Sequence, residues 1–318
     1  MDQTTITKDL LHQVETKINQ DQISEALKTL YEGLGYLHNH FSTEDWKQFI
    51  TEYREHWISV FFLQEPLARR AFDKPRGYAG DPIMLDLQYD FENMDSPPYG
   101  DKQPEVSELL YCELNRISHA QNANRERKRI LARKIDQTSE RVANPYILSV
   151  ACGELREALD SVAVKNKSIG KFIAIDQDKE ALSVAAERIA GFGETVQASV
   201  VDIMRNKVPL PRFDFIYSLG VYDYLTDRLA KKLTNKLFQL LNPGGRLLII
   251  NYLSNNPSIG YMEAVMDWWL IYRNKDQMKE LLEEIPQENI KDVDIFIEDH
   301  QVIVYMEIEK VGEASPSK

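Results

Sequence analysis

The stretch Tyr146-Ile147-Leu148-Ser149-Val150-Ala151-Cys152-Gly153-Glu154 decides the fold. A short apolar run closed by a glycine reads as a buried strand ending in a tight turn. The same unit recurs downstream. Phe172-Ile173-Ala174-Ile175, Val196 to Val201, Phe213 to Ser218 and Arg246 to Asn251 all read as strands. Helical patterns over Lys179 to Ala190 and Leu225 to Leu241 lie between them. Strands separated by helices pair in parallel, with the helices covering both faces of the sheet.

The end of the chain breaks that alternation. Val293 to Ile297 and Val302 to Ile308 are joined by only Glu298-Asp299-His300-Gln301. So short a link cannot cross over, so these two strands form an antiparallel hairpin. The expected fold is α/β: a Rossmann-like, mostly parallel seven-stranded sheet with a C-terminal antiparallel hairpin, over residues 141–311.

Upstream, residues 1–140 read as a helical domain. Leu10, Leu11, Val14 and Ile18 fall at helical spacing, as do Ile23, Leu27, Leu30, Tyr31 and Leu34. Ser42-Thr43-Glu44-Asp45 opens a helix carrying Trp46, Phe49, Ile50 and Tyr53. Lys74-Pro75-Arg76-Gly77-Tyr78-Ala79-Gly80-Asp81-Pro82 breaks the pattern, and Asp95-Ser96-Pro97-Pro98-Tyr99-Gly100 is a second irregular stretch. One long helix is expected from about Pro104 to about Asp136, with a basic run at Arg125-Glu126-Arg127-Lys128-Arg129. Residues 312–318 read as a disordered tail. Tyr261, Val265, Trp268 and Tyr272 recur at helical spacing, as the buried face of a helix before the hairpin or as the wall of a substrate pocket.

The bulk composition narrows the function classes. The net charge is −12, which repels phosphate backbones and makes nucleic acid a poor expectation as partner. Only two cysteines are present, so neither a disulfide framework nor a CxxC-type zinc site is expected, and no metal is called for. The first residues, MDQTTITKDLLHQ, lack an apolar signal core, and the apolar runs are too short to span a bilayer. The expectation is a cytoplasmic protein acting on a small molecule, away from membranes.

In an open α/β sheet, ligands bind beyond the carboxyl ends of the strands, where the strand order reverses. Gly153 lets the backbone turn tightly and approach a ligand. The turn lacks G-x-G-x-x-G and carries acidic Glu154, unfavourable beside a pyrophosphate. An adenosine derivative without phosphates fits better than a dinucleotide. Asp176 ends the second strand about 20 residues further on, where a carboxylate accepts hydrogen bonds from ribose hydroxyls; a carboxylate there also serves simply to open a helix. Asp202 ends the third strand, as an acceptor for an adenine amino group with Ile203 against the ring, or as a helix cap. The fourth strand leads into the aromatic segment Tyr217 to Tyr224.

Together Val150 to Glu154, Asp176, Asp202, Phe213 to Gly220 and Leu241-Asn242-Pro243-Gly244-Gly245-Arg246 to Ile250 resemble the class I S-adenosylmethionine-dependent methyltransferases over about half the chain. One departure is visible: the family's loop has two or three glycines, and here only Gly153 is present. The resemblance implies S-adenosyl-L-methionine as cofactor, with Gly153 against the methionyl part, Asp176 on the ribose and Asp202 at the adenine. Ala151, Gln177, Ile203, Tyr217 and Ser218 join that implied set. The segment Lys74 to Asp81 resembles a K-P-x-G-Y-x-G-D stretch in a bacterial subgroup that carries a helical N-terminal domain and includes enzymes linked to methyl esters of 3-hydroxy fatty acids. That resemblance makes the segment a lid, with Arg76, Tyr78 and Asp81 at the cofactor or substrate; as a plain surface turn, its prolines and glycines would serve geometry alone.

Methyl transfer needs alignment of the nucleophile, exclusion of water and stabilisation of a sulfonium, for which aromatic faces are suited. Tyr78, Tyr217, Tyr222 and Tyr224 are candidates, each also explicable as packing. A carboxylate acceptor needs no base; a hydroxyl or amine does, and His56, His119 or Asp223 are the groups at hand. Three readings stay open: a small-molecule methyltransferase, a cyclase that turns the cofactor's own amine onto its γ-carbon with release of methylthioadenosine and an azetidine-2-carboxylate type amino acid, and a non-catalytic regulatory protein that binds the cofactor.

Overall fold

A computed structural model describes residues 3–89, 91 and 105–312. The segment Asp95 to Gly100 and the tail from residue 313 lie outside the described residues. Contacts divide the chain into two compact units: Met1–Arg125 with Asn255–Trp269, and Glu126–Ser254 with Leu270–Lys318. The division therefore falls at Arg125 rather than near residue 140, and a segment between the last two parts of the sheet belongs with the helices.

The first unit is helical: α1 (Gln3–Asn19), α2 (Ile23–His40), α3 (Thr43–Glu55), α4 (Trp57–Phe62), α5 (Pro66–Asp73), α6 (Pro82–Tyr89), α7 (Glu105–Ile117), the start of α8 (His119–Arg141), and α13 (Ile259–Ala264). Helix α2 buries Ile23, Ala26, Leu27, Leu30, Tyr31, Leu34 and Leu37, a stripe at three- and four-residue spacing. Helix α13 packs on it so closely that a β-carbon at Gly260 would collide with the Leu34 carbonyl. Ser42 caps α3, accepting from Asp45 N at 3.2 Å.

The single helix expected from Pro104 to Asp136 is two, broken at Ser118. The break has a local cause. The Asn115 carbonyl, which would continue the helical ladder, accepts instead from Arg125 Nη2 at 2.7 Å. The freed amides of His119 and Ala120 donate to Tyr31 Oη (3.1 Å) and Ser258 Oγ (3.0 Å). The helix expected through Tyr272 ends at Ala264, and the chain turns at Asp267 with φ +49°. Arg54 and Lys74 hold the Asp267 carboxylate at 2.8 and 2.5 Å.

The second unit contains the sheet: β1 (Tyr146–Val150), β2 (Lys171–Asp176), β3 (Gly193–Gln197), β4 (Phe213–Ser218), β5 (Leu241–Tyr252), β6 (Ile290–Ile297) and β7 (Ile303–Lys310). Their order is β3-β2-β1-β4-β5-β7-β6. The first five pair in parallel, and β7 is antiparallel to both β5 and β6. The α/β sheet with a C-terminal antiparallel hairpin is thus found as expected. The third strand is shorter than its apolar pattern: Ser199 and Asp202 form a capping box that turns residues 200–204 into α11 (Val200–Met204). Helices α9 (Val162–Lys165), α10 (Lys179–Arg188), α12 (Asp227–Gln239) and α14 (Lys275–Glu280) complete the unit.

Strand side chains alternate between faces. Leu148, Val150, Ile173, Ile175, Ile216, Leu247, Ile249, Val304 and Met306 share one core with Ala230, Leu233 and Leu237 of α12. Each such side chain, fully buried, contributes roughly 1.5–3 kcal/mol. That core fixes the strand ends from which the site is built.

Candidate active site

Strand β1 lies between β2 and β4, so successive crossovers leave it in opposite directions and open a crevice at its carboxyl end. Ser218 Oγ donates to the Val150 carbonyl at 2.9 Å and ties the ends of β4 and β1 together across that point.

Beyond Val150 the backbone enters the left-handed region at alternate residues: Ala151 (φ +53°), Gly153 (+52°) and Leu155 (+56°). Two of these three carry β-carbons, where such angles cost about 1–2 kcal/mol each. The loop thus holds the left-handed conformation at two residues that are not glycine. Cys152 N donates to the Ile175 carbonyl (3.1 Å) and Leu155 N to the Cys152 carbonyl (3.0 Å), so the loop is fastened to β2 and to itself. Glu154, read from sequence as a charge hostile to phosphate, is 2.9 Å from Arg156 and 3.7 Å from Arg188. Its charge is matched by Arg156 next to the loop and by Arg188 at the end of α10.

Asp176 closes the other side. Its Oδ2 accepts from Gly153 N at 2.8 Å and its Oδ1 from Asp178 N at 2.9 Å. Burial pushes its carboxyl above the usual carboxylate range, against the pull of those amides. Gln177 beside it is exposed, and its carbonyl accepts from Gln197 Nε2 at 3.2 Å. Asp202 is engaged twice: its Oδ2 takes the Ser199 amide (3.2 Å) and hydroxyl (2.6 Å), and its Oδ1 lies 3.0 Å from Lys207 Nζ. The Ser199 hydroxyl and Lys207 hold it down to about 2. Ile203 is buried in the core.

The aromatic segment after β4 points largely inward. Tyr217 is fully buried and donates to Glu157 Oε1 at 2.6 Å; burial keeps the Glu157 carboxyl above its usual range. Tyr222 is fully buried with its hydroxyl 3.1 Å from Thr234 Oγ1, and Tyr224 is exposed. Asp223 is buried, its Oδ1 accepting from Tyr252 N at 2.7 Å, and burial pushes it up to about 7.

The remaining sequence candidates lie in the helical unit. Lys74 caps α5 in the left-handed conformation, and Gly77 N donates to its carbonyl at 2.8 Å, a β-turn with Pro75 and Arg76 at its centre. Asp81 is fully buried: Arg70 reaches its two oxygens at 2.8 and 2.7 Å, and it accepts from Met84 N at 2.8 Å as the cap of α6. Between these fixed ends Arg76 and Tyr78 are half-buried. His56 caps α4, its Nδ1 accepting from Ile58 N at 3.4 Å, and His119 is exposed at the start of α8.

Residues 147–245 match the family described as a methyltransferase domain. Over this stretch the chain is similar to that family. The stretch coincides with the part of the sheet that carries Gly153, Asp176, Asp202 and Ser218. No curated protein matches the chain at the level of sequence. Among solved structures, a possible exported protein from Bordetella parapertussis is similar over 92% of this chain and 97% of its own, with 15% identity and a TM-score of 0.57, a likeness of fold. The N-methyltransferase NodS from Bradyrhizobium japonicum WM9 in complex with S-adenosyl-L-homocysteine has 14% identity over 71% of this chain and 96% of its own, with a TM-score of 0.43. Magnesium protoporphyrin IX methyltransferase from Synechocystis PCC 6803 with bound S-adenosylmethionine has 10% identity over 72% and 92%, with a TM-score of 0.45. No helix among the described residues is long and apolar enough to cross a membrane.

Four residues around the crevice at the end of β1 carry no motif in the sequence. Asp178 caps α10 and donates its amide to Asp176, a role its place two residues after a strand-end carboxylate signals. Glu157, Arg127 and Arg273 hold Tyr217 and the segment after β4 from afar, and no local pattern announces them.

Proposed function

We propose that the chain is an S-adenosylmethionine-dependent methyltransferase acting on a small molecule with a carboxylate, hydroxyl or amine acceptor. The observation that carries the reading is the pairing of Asp176 with the left-handed loop 151–155 inside the stretch similar to a methyltransferase domain. The donor chemistry fits the cofactor: an ionised carboxylate offers about four lone-pair directions, and the Gly153 and Asp178 amides leave room for a ribose diol. Ala151 and Gly153 flank the methionyl portion, Asp176 and Gln177 take the ribose, and Asp202 with Ile203 borders the adenine. Because Asp202 is already engaged by Ser199 and Lys207, its part is to shape the adenine edge through the start of α11.

When bound, S-adenosylmethionine supplies a methyl group on a sulfonium, open to in-line attack. The chain's own contribution is alignment and dry walls. Tyr217 and Ser218 hold the β4 end in place, while Tyr222 and Asp223 serve the segment that follows it. In the helical unit, the resemblance of Lys74 to Asp81 implies a part for Arg76 and Tyr78 in choosing the acceptor, from a turn fixed at Lys74 and Asp81.

Incubating the purified chain with S-adenosylmethionine and a set of carboxylate, hydroxyl and amine acceptors tests the reading. Acceptor-dependent formation of S-adenosylhomocysteine is expected. Methylthioadenosine without any acceptor would replace transfer by intramolecular cyclisation, and binding without turnover would leave a regulatory protein.

A further inference from the structure

The basic run Arg125 to Arg129 does not form a surface patch. Arg125 is buried, with its guanidinium on Asn115, Asn122 and the Gln88 carbonyl. Lys128 lies 3.2 Å from Asp160, and Arg129 3.8 Å from Glu126. Arg127 differs from these three in its partner. It is 5% exposed, and its Nη1 donates at 2.9 Å to the carbonyl of Leu219, the first residue beyond β4.

A second arginine grips the same segment further along. Arg273 is 1% exposed and donates to the Tyr222 carbonyl (2.9 Å) and the Leu225 carbonyl (2.6 Å), with Asn251 and Asp227 completing its shell. The carbonyls of residues 219, 222 and 225 are thus all held by guanidinium groups. Between them, Asp223 takes Tyr252 N on its carboxylate and Ile271 N on its carbonyl. Gly220, within this held segment, has open space beside it: a β-carbon there would meet nothing within 4 Å. A segment fixed so firmly from below and bare above is built to present its backbone to a ligand.

We propose that Arg127 is a positioning residue: through the Leu219 carbonyl it holds the segment that begins at residue 219 in the conformation that cofactor binding requires. The inference rests on the function proposed above. A guanidinium suits the task because its planar fork presents its donors in a fixed geometry that a lysine amine lacks.

Full-length parent, Arg127→Gln and Arg127→Lys are compared by amide hydrogen exchange and by calorimetric titration with S-adenosylhomocysteine. In Arg127→Gln, exchange over residues 219–225 is expected to rise about tenfold while β1, β2 and β5 keep their protection, and affinity for the probe to fall about tenfold. Arg127→Lys, which keeps the charge but not the fork, is expected to recover at least about half of that affinity loss on a logarithmic scale. Unchanged exchange over 219–225 in a folded Arg127→Gln protein, or a rise spread evenly through the sheet, overturns the inference. If the Gln variant does not fold, Arg127→Lys decides alone, since faster exchange confined to 219–221 is required of it. A parent that binds no S-adenosylhomocysteine refutes the cofactor reading, and the exchange result still stands or falls by itself.

Discussion

The loops after β1 and β4 leave the sheet at the same end, side by side, and are held by different means. The first is fixed largely by its own backbone: alternate left-handed residues at Ala151, Gly153 and Leu155, the carboxylate of Asp176, 23 residues on from Gly153 at the end of β2, and the Arg188 guanidinium on the Glu154 carbonyl. The second has no such backbone device and is fixed by Arg127 and Arg273, whose side chains come from 92 and 48 residues away. A loop shaped by its backbone keeps its form as long as its φ angles do. A loop shaped by borrowed guanidiniums keeps its form only while the distant elements stay in register.

The comparison breaks first at Asp176. Replacing it with Ala strands two part-buried amides, those of Gly153 and Asp178, at up to roughly 1–3 kcal/mol each. It also removes the acceptor for the ribose. Cofactor affinity is expected to fall about 100-fold, near 2.7 kcal/mol, with a fall in melting temperature. Calorimetry and thermal melting check both. An Asp176→Ala protein that binds the cofactor as the parent does would show that the β1 loop is scaffold only.

The next effect separates the two units. Asp223 in the sheet unit and Glu65 in the helical unit are both buried and both pushed up to about 7 by burial. Glu65 caps α5 through Leu67 N and Ala68 N, at 3.0 and 2.5 Å. A carboxyl raised in the folded state is favoured there in its protonated form. Its contribution to stability is full below the unfolded value near 4, declines as pH rises, and is lost by about pH 7. The slope is at most about 1.4 kcal/mol per pH unit for each group. Between pH 5 and 7 the parent is expected to lose melting temperature, and Asp223→Asn and Glu65→Gln each to flatten part of that loss. A parent whose melting temperature rises steadily over this range would show that neither carboxyl is buried as described.

The two loops also differ in how far they could be read from sequence. Gly153 and Asp176 were legible because the β1 loop is local: a glycine, a strand end and a carboxylate about 20 residues on form a pattern along the chain. The alternation of strands and helices, and the terminal hairpin, were legible for the same reason. What escaped was non-local. Arg127 lies in a run that reads as a basic face, and nothing near it points to Leu219. The break at Ser118 depends on Tyr31, Arg125 and Ser258, side chains brought together only by the fold. Tyr222 and Asp223 read as open aromatic and acidic groups because the segment's composition does not reveal that it turns inward.

The smallest effect bears on the backbone of the β1 loop itself. Ala151 and Leu155 show that the loop tolerates β-carbons at φ near +55°, so Gly153→Ala asks nothing of the backbone that its neighbours do not already bear. Its stability loss is expected to be about 1 kcal/mol. If Gly153 is needed only for its angle, cofactor affinity should barely change; if the backbone must approach the cofactor closely, affinity should fall about tenfold or more. Ala151→Gly runs the opposite way. It relieves about 1–2 kcal/mol of left-handed strain but adds freedom to the unfolded chain worth about 0.4–1 kcal/mol. The two nearly cancel, and a rise in melting temperature of no more than a few degrees is expected. A clear fall would mean that the methyl of Ala151 packs usefully in the loop, and that the strain at this turn is smaller than its angle implies.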